Sequence, residues 1–109
     1  MAELDRPVGA EVVIDTRIDA QGTPVVRVAG ELDSSNAHRL AATMSAITAG
    51  HPSSVVFELD GLRFMDSAGL AILVRAAADI ADVELRDPSP IVMRLLELTG
   101  LTSVLRVAS

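Results

Sequence analysis

The 109-residue sequence predicts a single α/β domain, a mixed, mainly parallel sheet with helices packed on one face. Three observations carry that expectation. Stretches of period-two alternation recur between stretches of helical spacing, in the order β-β-α-β-α-β-α-β. Each strand-like stretch has one apolar and one largely polar side, whereas strands buried on both faces read as continuous apolar runs. Three strand–helix–strand connections imply right-handed crossovers between parallel strands, and an opening hairpin makes the sheet mixed.

The elements follow in order. In "EVVIDTRI", Val12, Ile14, Thr16 and Ile18 share one face, with Glu11, Val13, Asp15 and Arg17 on the other. The turn-rich "DAQGTP" (19–24) leads to "VVRVAG", where Val26 and Val28 oppose Val25 and Arg27, and the pair reads as a hairpin. "SSNAHRLAATMSAITAG" predicts a helix with Ser34 or Ser35 as N-cap and Gly50 as a left-handed C-cap. Its inner stripe is Ala37, Leu40, Met44 and Ile47. "SVVFELD" sets Val55, Phe57 and Leu59 against Glu58 and Asp60 as the third strand. A second helix runs from near Ser67 to about Ile80, and "DVELR" alternates as a strand. "SPIVMRLLELTG" predicts a third helix, with Ser89 as N-cap, Pro90 at the first helical position and Gly100 as C-cap. Its expected stripe is Ile91, Val92, Leu95 and Leu98, and "SVLRV" completes the sheet. Residues 1–10 read as a flexible N-terminal arm and 11–109 as the domain.

Composition narrows the functions. Half of the residues are hydrophobic but only Phe57 and Phe64 are aromatic, so the core is aliphatic. The absence of cysteine excludes disulfides and thiolate chemistry. A net charge of −6, with every basic residue a scattered arginine, argues against direct nucleic-acid binding, which relies on neutralising phosphates. No apolar run approaches the roughly 20 residues of a membrane span, and "MAELDRPVGA" lacks the basic start and apolar stretch of a signal peptide. The expectation is a cytoplasmic protein, monomeric, with no membrane role of its own.

One joint stands out. "LDGLRFMDSAGLAILVRAA" (59–77) places Asp66 and Ser67 between a strand and a helix with almost no polar face. Asp66 or Ser67 there caps the helix, and the free N–H groups of a helix mouth also favour an anion such as phosphate. A catalytic serine needs a base, and only His38 and His51 are available, without a G-x-S-x-G elbow or an oxyanion loop. No catalytic residue, metal ligand or cofactor is therefore assigned, and the chain reads as a non-enzyme. The apolar second helix reads as a core element whose first turn, from Met65 through Ala68, Gly69 and Leu70, also offers a docking surface.

Three segments in the right order, "GELDSSNAHRL" (30–40), "LDGLRFMDSAGLAILV" (59–74) and "PSPIVMRLLELTGL" (88–101), resemble the STAS domain. The chain is most similar to the bacterial anti-sigma factor antagonists, and the likeness spans about residues 11 to 105. The resemblance implies a SpoIIAA-like fold and a partner that is an anti-sigma factor of the serine-kinase type, with a histidine-kinase-like ATPase fold. Binding that partner frees its sigma factor. Phosphorylation of the serine after the signature aspartate ends the binding, and a PPM-type phosphatase resets it. By position that serine is Ser67, with Asp66 the signature aspartate and Asp33 the acid of the G-E-L-D turn. Ala68 leaves no second acceptor beside it. Ser34, Ser35 and Asn36 are expected on the same surface. Asp33 either positions or repels the Ser67 group, or caps the first helix. The alternative implied by the same likeness is a stand-alone STAS subunit of an ABC-type lipid transporter, docking on its ATPase. Against the family pattern, the second helix runs almost straight into "DVELR", about one turn short, and the sequence ends at Ser109 where many relatives continue into another helix.

Overall fold

A computed structural model describes residues 11–108; the expected N-terminal arm lies outside the described residues, as does Ser109. The elements are β1 (Val12–Ile18), β2 (Pro24–Leu32), α1 (Ala37–Ala49), β3 (Ser54–Glu58), β4 (Leu62–Met65), α2 (Ser67–Asp79), β5 (Asp82–Arg86), α3 (Pro90–Thr99), a 3₁₀ turn (Leu101–Ser103) and β6 (Arg106–Ala108). The sheet runs β1-β2-β3-β5-β6, with β4 attached to β2. Among the described residues only the β1–β2 pair is antiparallel. Its hairpin is tied by Asp19, whose Oδ1 accepts the N–H groups of Gln21 and Thr23, both at 2.9 Å, beside Gly22 at φ +82°. An aspartate that satisfies the turn's own amides is the local reason the chain reverses there.

The unexpected strand is β4. Reading "SVVFELD" as one strand missed that β3 stops at Glu58 and the chain turns at Asp60–Gly61 to re-enter the sheet. The reason is length. β2 has nine residues and β3 five, so the upper half of β2 would otherwise leave its backbone groups unpaired beside a buried core. β4 fills that edge, pairing Gly30 with Leu62 and Leu32 with Met65. Leu59, Leu62 and Met65 are all buried as a result. A bulge between Gly30 and Glu31 adjusts the register, and Gly30 sits at φ +95° with no room for a side chain, since a Cβ would lie 2.3 Å from the Glu11 carbonyl oxygen.

Below the helices lies one aliphatic core. Val26, Val28, Val55, Phe57, Val83 and Leu85 of the sheet meet Leu40, Met44, Leu73, Ala76, Val92 and Leu96 of the helices. The helix ends differ from expectation at two places. The N-cap of α1 is Asn36, not Ser34 or Ser35, and Gly50 stays right-handed at φ −83° while His51 takes the left-handed turn at φ +52°. Pro52 disfavours helical backbone in the residue before it, so the chain leaves the helix at His51. α3 is capped as expected by Ser89 and by Gly100 at φ +74°, but its buried stripe is Val92 and Leu96. Met93 and Leu95, the latter as expected, are partly buried against the core, whereas Ile91 and Leu98 fall on the outer face, 62% and 71% exposed. The final strand starts three residues later than expected, after the 3₁₀ turn.

The opposite face of the sheet is open, and ion pairs cross it. Arg17 holds Glu58 with two hydrogen bonds of 2.9 and 2.7 Å. Glu58 meets Arg86 at 3.7 Å, Arg86 meets Glu84 at 2.9 Å, and Arg106 bridges Glu84 and Asp82 at 2.9 and 3.0 Å. Under this ladder Val25 and Val56 are buried although they face away from the main core. Arg17 stands opposite Val25 in the register, and its aliphatic stem is the kind of cover that long charged side chains supply. The Arg17 hydrogen bonds hold the Glu58 carboxyl below the usual range, with Arg86 and Arg27 adding to the effect. A depressed carboxylate stabilises the fold above its unfolded pKa of about 4.3, and that contribution is lost as pH falls through the lower folded value. Glu58→Gln should therefore lower stability by no more than about 1 kcal/mol at pH 7. The difference from the parent should shrink in urea titrations as pH falls below the unfolded value and through the lower folded one.

Candidate functional site

Two turns meet at the end of the sheet where β2 and β4 finish. These strands are parallel neighbours with Leu32 opposite Met65, and the Asp66 N–H donates to the Leu32 carbonyl at 3.2 Å. Parallel strands lie about 4.8 Å apart, so Asp33 and Asp66, the next residues along each strand, emerge side by side.

Asp66 is the N-cap of α2. Its backbone is extended, at φ −107° and ψ −167°, and its Oδ1 accepts the Ala68 N–H at 2.9 Å. Ser67 is the first helical residue and is exposed. Among the described residues no hydrogen bond engages its hydroxyl. The cap is thus the aspartate, and the Ser67 hydroxyl makes no hydrogen bond to the helix. Gly69 explains the small residues that follow. A Cβ there would lie 2.5 Å from Met65 Cγ and 2.7 Å from Leu32 Cδ2, so the first turn of α2 rests directly on the ends of β2 and β4. Asp66 and Gly69 between them fix where Ser67 stands.

The neighbouring turn is held by Asn36 and Asp33. Asn36 is buried, its Oδ1 accepting the Asp33 N–H at 3.0 Å and its Nδ2 donating to the Glu31 carbonyl at 2.9 Å. The Asp33 carboxylate accepts the Ser35 N–H at 2.9 Å and the Ser35 hydroxyl, while the Asp33 carbonyl accepts the Ala37 N–H at 2.8 Å. Asp33 thereby braces the entry to α1 with both its backbone and its side chain. Arg39 is committed to the Val12 carbonyl at 3.1 Å, and Arg63 pairs with Glu31 at 3.4 Å, with 70% of the Arg63 side chain exposed.

Of the residues singled out from sequence, Ser34, Ser35 and Ser67 are exposed, and Asp33, Asp66, Ala68 and Leu70 are half-buried at the same end. Asn36, Met65 and Gly69 are buried and lie beneath that surface. Ala71 and Val74 continue the exposed face of α2 downward from Ser67, Val74 being 44% exposed. The sequence reading named neither, although both fall on the helical period of Ser67. His38 is exposed in the first turn of α1, and His51 lies beyond the other end of that helix. Among the described residues no group of three or more His, Cys, Asp or Glu side chains could hold a metal ion. No described helix is long and apolar enough to cross a membrane.

A family model described as "Mlab, STAS domain" matches residues 11–106. The chain belongs to the STAS domain family. An anti-sigma F factor antagonist of Lysinibacillus sphaericus is 32% identical over 84 residues, covering 72% of each chain. The crystal structure of an anti-sigma factor antagonist from Mycobacterium paratuberculosis has a TM-score of 0.83 and 27% identity, over 90% of this chain and 86% of that one. SpoIIAA shares the fold at 22% identity in two states. The unphosphorylated form has a TM-score of 0.77, covering 89% of each chain. The phosphorylated form, from Bacillus, has a TM-score of 0.71 over 89% of this chain and 92% of that one.

The geometry of this STAS domain separates the two residues at the joint by experiment. Asp66→Ala should cost about 1 kcal/mol in urea unfolding, the usual worth of an N-cap, while Ser67→Ala should leave stability within about 0.5 kcal/mol. Gly69→Ala should cost about 1–3 kcal/mol, because Met65 and Leu32 must move to admit the methyl group.

Proposed function

We propose that this STAS domain is an anti-sigma factor antagonist: a non-enzymatic, cytoplasmic binding module whose docking is switched off by phosphorylation of Ser67. Its partner in this reading is an anti-sigma factor of the serine-kinase type, which gives up its sigma factor on binding the antagonist. A PPM-type phosphatase restores the hydroxyl. The observation that carries the proposal is the exposed, unengaged Ser67 hydroxyl at the mouth of α2, beside a cap supplied by another residue. The named relatives support the partner class, and SpoIIAA, a shared fold, exists in phosphorylated and unphosphorylated forms.

The physics of the switch follows from that placement. Phosphate adds about −1.5 to −2 charges at pH 7. On this chain it lands at a helix N-terminus, where backbone N–H groups and the helix dipole accommodate an anion. Asp33 and Asp66 already make this end acidic, so the modified surface presents concentrated negative charge to whatever faces it. A partner carboxylate about 5 Å away, at an effective dielectric near 20, would be repelled by roughly 3 kcal/mol per unit charge. That is more than a hundredfold in affinity, with no need to unfold the antagonist. Ser34, Ser35, Leu70, Ala71 and Val74 supply the rest of the contact surface, with Met65, Gly69 and Asn36 supporting it from below.

Incubation with the anti-sigma kinase and ATP should add one phosphate, read by intact mass and placed at Ser67 by peptide mapping. Ser67→Ala should bind the kinase as tightly as the parent and stay unmodified, while Ser67→Glu should bind at least about tenfold more weakly. Phosphorylation of Ser67→Ala to the parent's extent would reject the site. Recovery of an ABC-type ATPase in place of a kinase-type regulator, in pull-downs from the native cell, would reject the partner class in favour of a transporter subunit.

A further inference from the structure

The far end of the helical layer holds a second feature that the Ser67 surface does not use. A cleft of about 600 Å³ opens between the C-terminal halves of α1 and α2. Its floor is apolar, formed by Met44, Ile72 and Ala76, while Ser45 and Thr48 bring hydroxyls to one wall. Arg75, Asp79 and His51 stand at the mouth. Ala41 and Ala49 complete the lining with small side chains.

The electrostatics of this cleft are set by topology. Both helices connect parallel strands of one sheet, so they run in the same direction and their C-termini emerge together. A helix C-terminus carries about half a negative charge on its free carbonyl groups, and here two of them flank one opening. Neither last turn contains a basic side chain to offset it, and α2 ends on an acid, Asp79. The one counter-charge in the lining is Arg75, whose Nε lies 3.3 Å from Asp79 Oδ2. Arg75 is 81% exposed, and a solvated i,i+4 pair of this kind is easily exchanged for another cation. His51 is fixed at this mouth by the left-handed turn before Pro52.

We infer that the α1–α2 cleft is a binding site for a small organic cation, a primary ammonium group carried on an apolar body. The ammonium takes the place of the Arg75 guanidinium at Asp79 and the helix C-termini, and the apolar body lies on Met44, Ile72 and Ala76. The site is separate from the proposed switch, since Ser67 and Asp79 stand at opposite ends of α2, about 18 Å apart along a helix of that length. It also does not depend on the phosphorylation reading, because it is tested on the isolated chain.

The test is titration of the ¹⁵N-labelled protein with phenethylamine, followed by amide shifts, with 3-phenylpropanoate as the matched anion. Saturable shifts confined to the residues around the cleft are expected for the amine, weakening as salt is raised, with little response to the carboxylate. Asp79→Asn should weaken amine binding about fivefold or more, and Arg75→Ala, which frees the carboxylate, should strengthen it. Equal binding of amine and carboxylate, unchanged affinity in both variants, or no cleft shifts at roughly 10 mM amine would overturn the assignment.

Discussion

The geometry around Ser67 depends on how closely the first turn of α2 approaches the sheet. That approach is possible only because β4 extends the sheet alongside β2 and Gly69 offers no Cβ to Met65 and Leu32. Each part constrains the next. The length of β2 calls for a partner strand, and that strand brings Asp66 beside Asp33. Asp66 then starts the helix, and the glycine lets the helix settle on the strand ends. The acidic end of the molecule is therefore a product of backbone pairing before any side chain contributes.

The two faces of the sheet divide the work. The helical side gathers the aliphatic core, while the open side is closed over by the ladder of arginines and carboxylates. Exposed ion pairs of this kind add little stability individually. Their effect is on what the face can do: a sheet surface covered by matched charge is a poor partner for apolar surfaces. On the proposed reading, contacts with a partner fall at the end of the sheet and on the outer face of α2.

Much of this was legible in the sequence, for reasons that can be named. Alternation identified every strand except β4, because four residues with buried ends and exposed middle residues do not alternate. The signal was present in Leu59, Leu62 and Met65 spaced around "DG", but it becomes a strand only when the excess length of β2 is known. Ser89, Pro90 and Gly100 marked α3 correctly because their preferences are local. The start of α1 did not follow the same logic, because Asn36 is drawn into bonds with Glu31 and Asp33 that no local preference reveals. Of the stripe expected for α3, Val92 and Leu95 pack on the core and Ile91 and Leu98 do not, since six of its residues besides Pro90 are apolar and periodicity alone cannot choose among them. At the candidate site, the motif pointed to Ser67, Asp66 and Asp33, which the fold brings to one end of the sheet, but the reason for Gly69 needed coordinates.

A hydroxyl that takes no part in holding the helix can change its chemistry without the fold registering the event. On the proposed reading, a record written there costs the protein neither order nor shape, and its lifetime is set by the enzymes that write and remove it. A melting curve would be nearly blind to whether the message is present, and only a partner could read it.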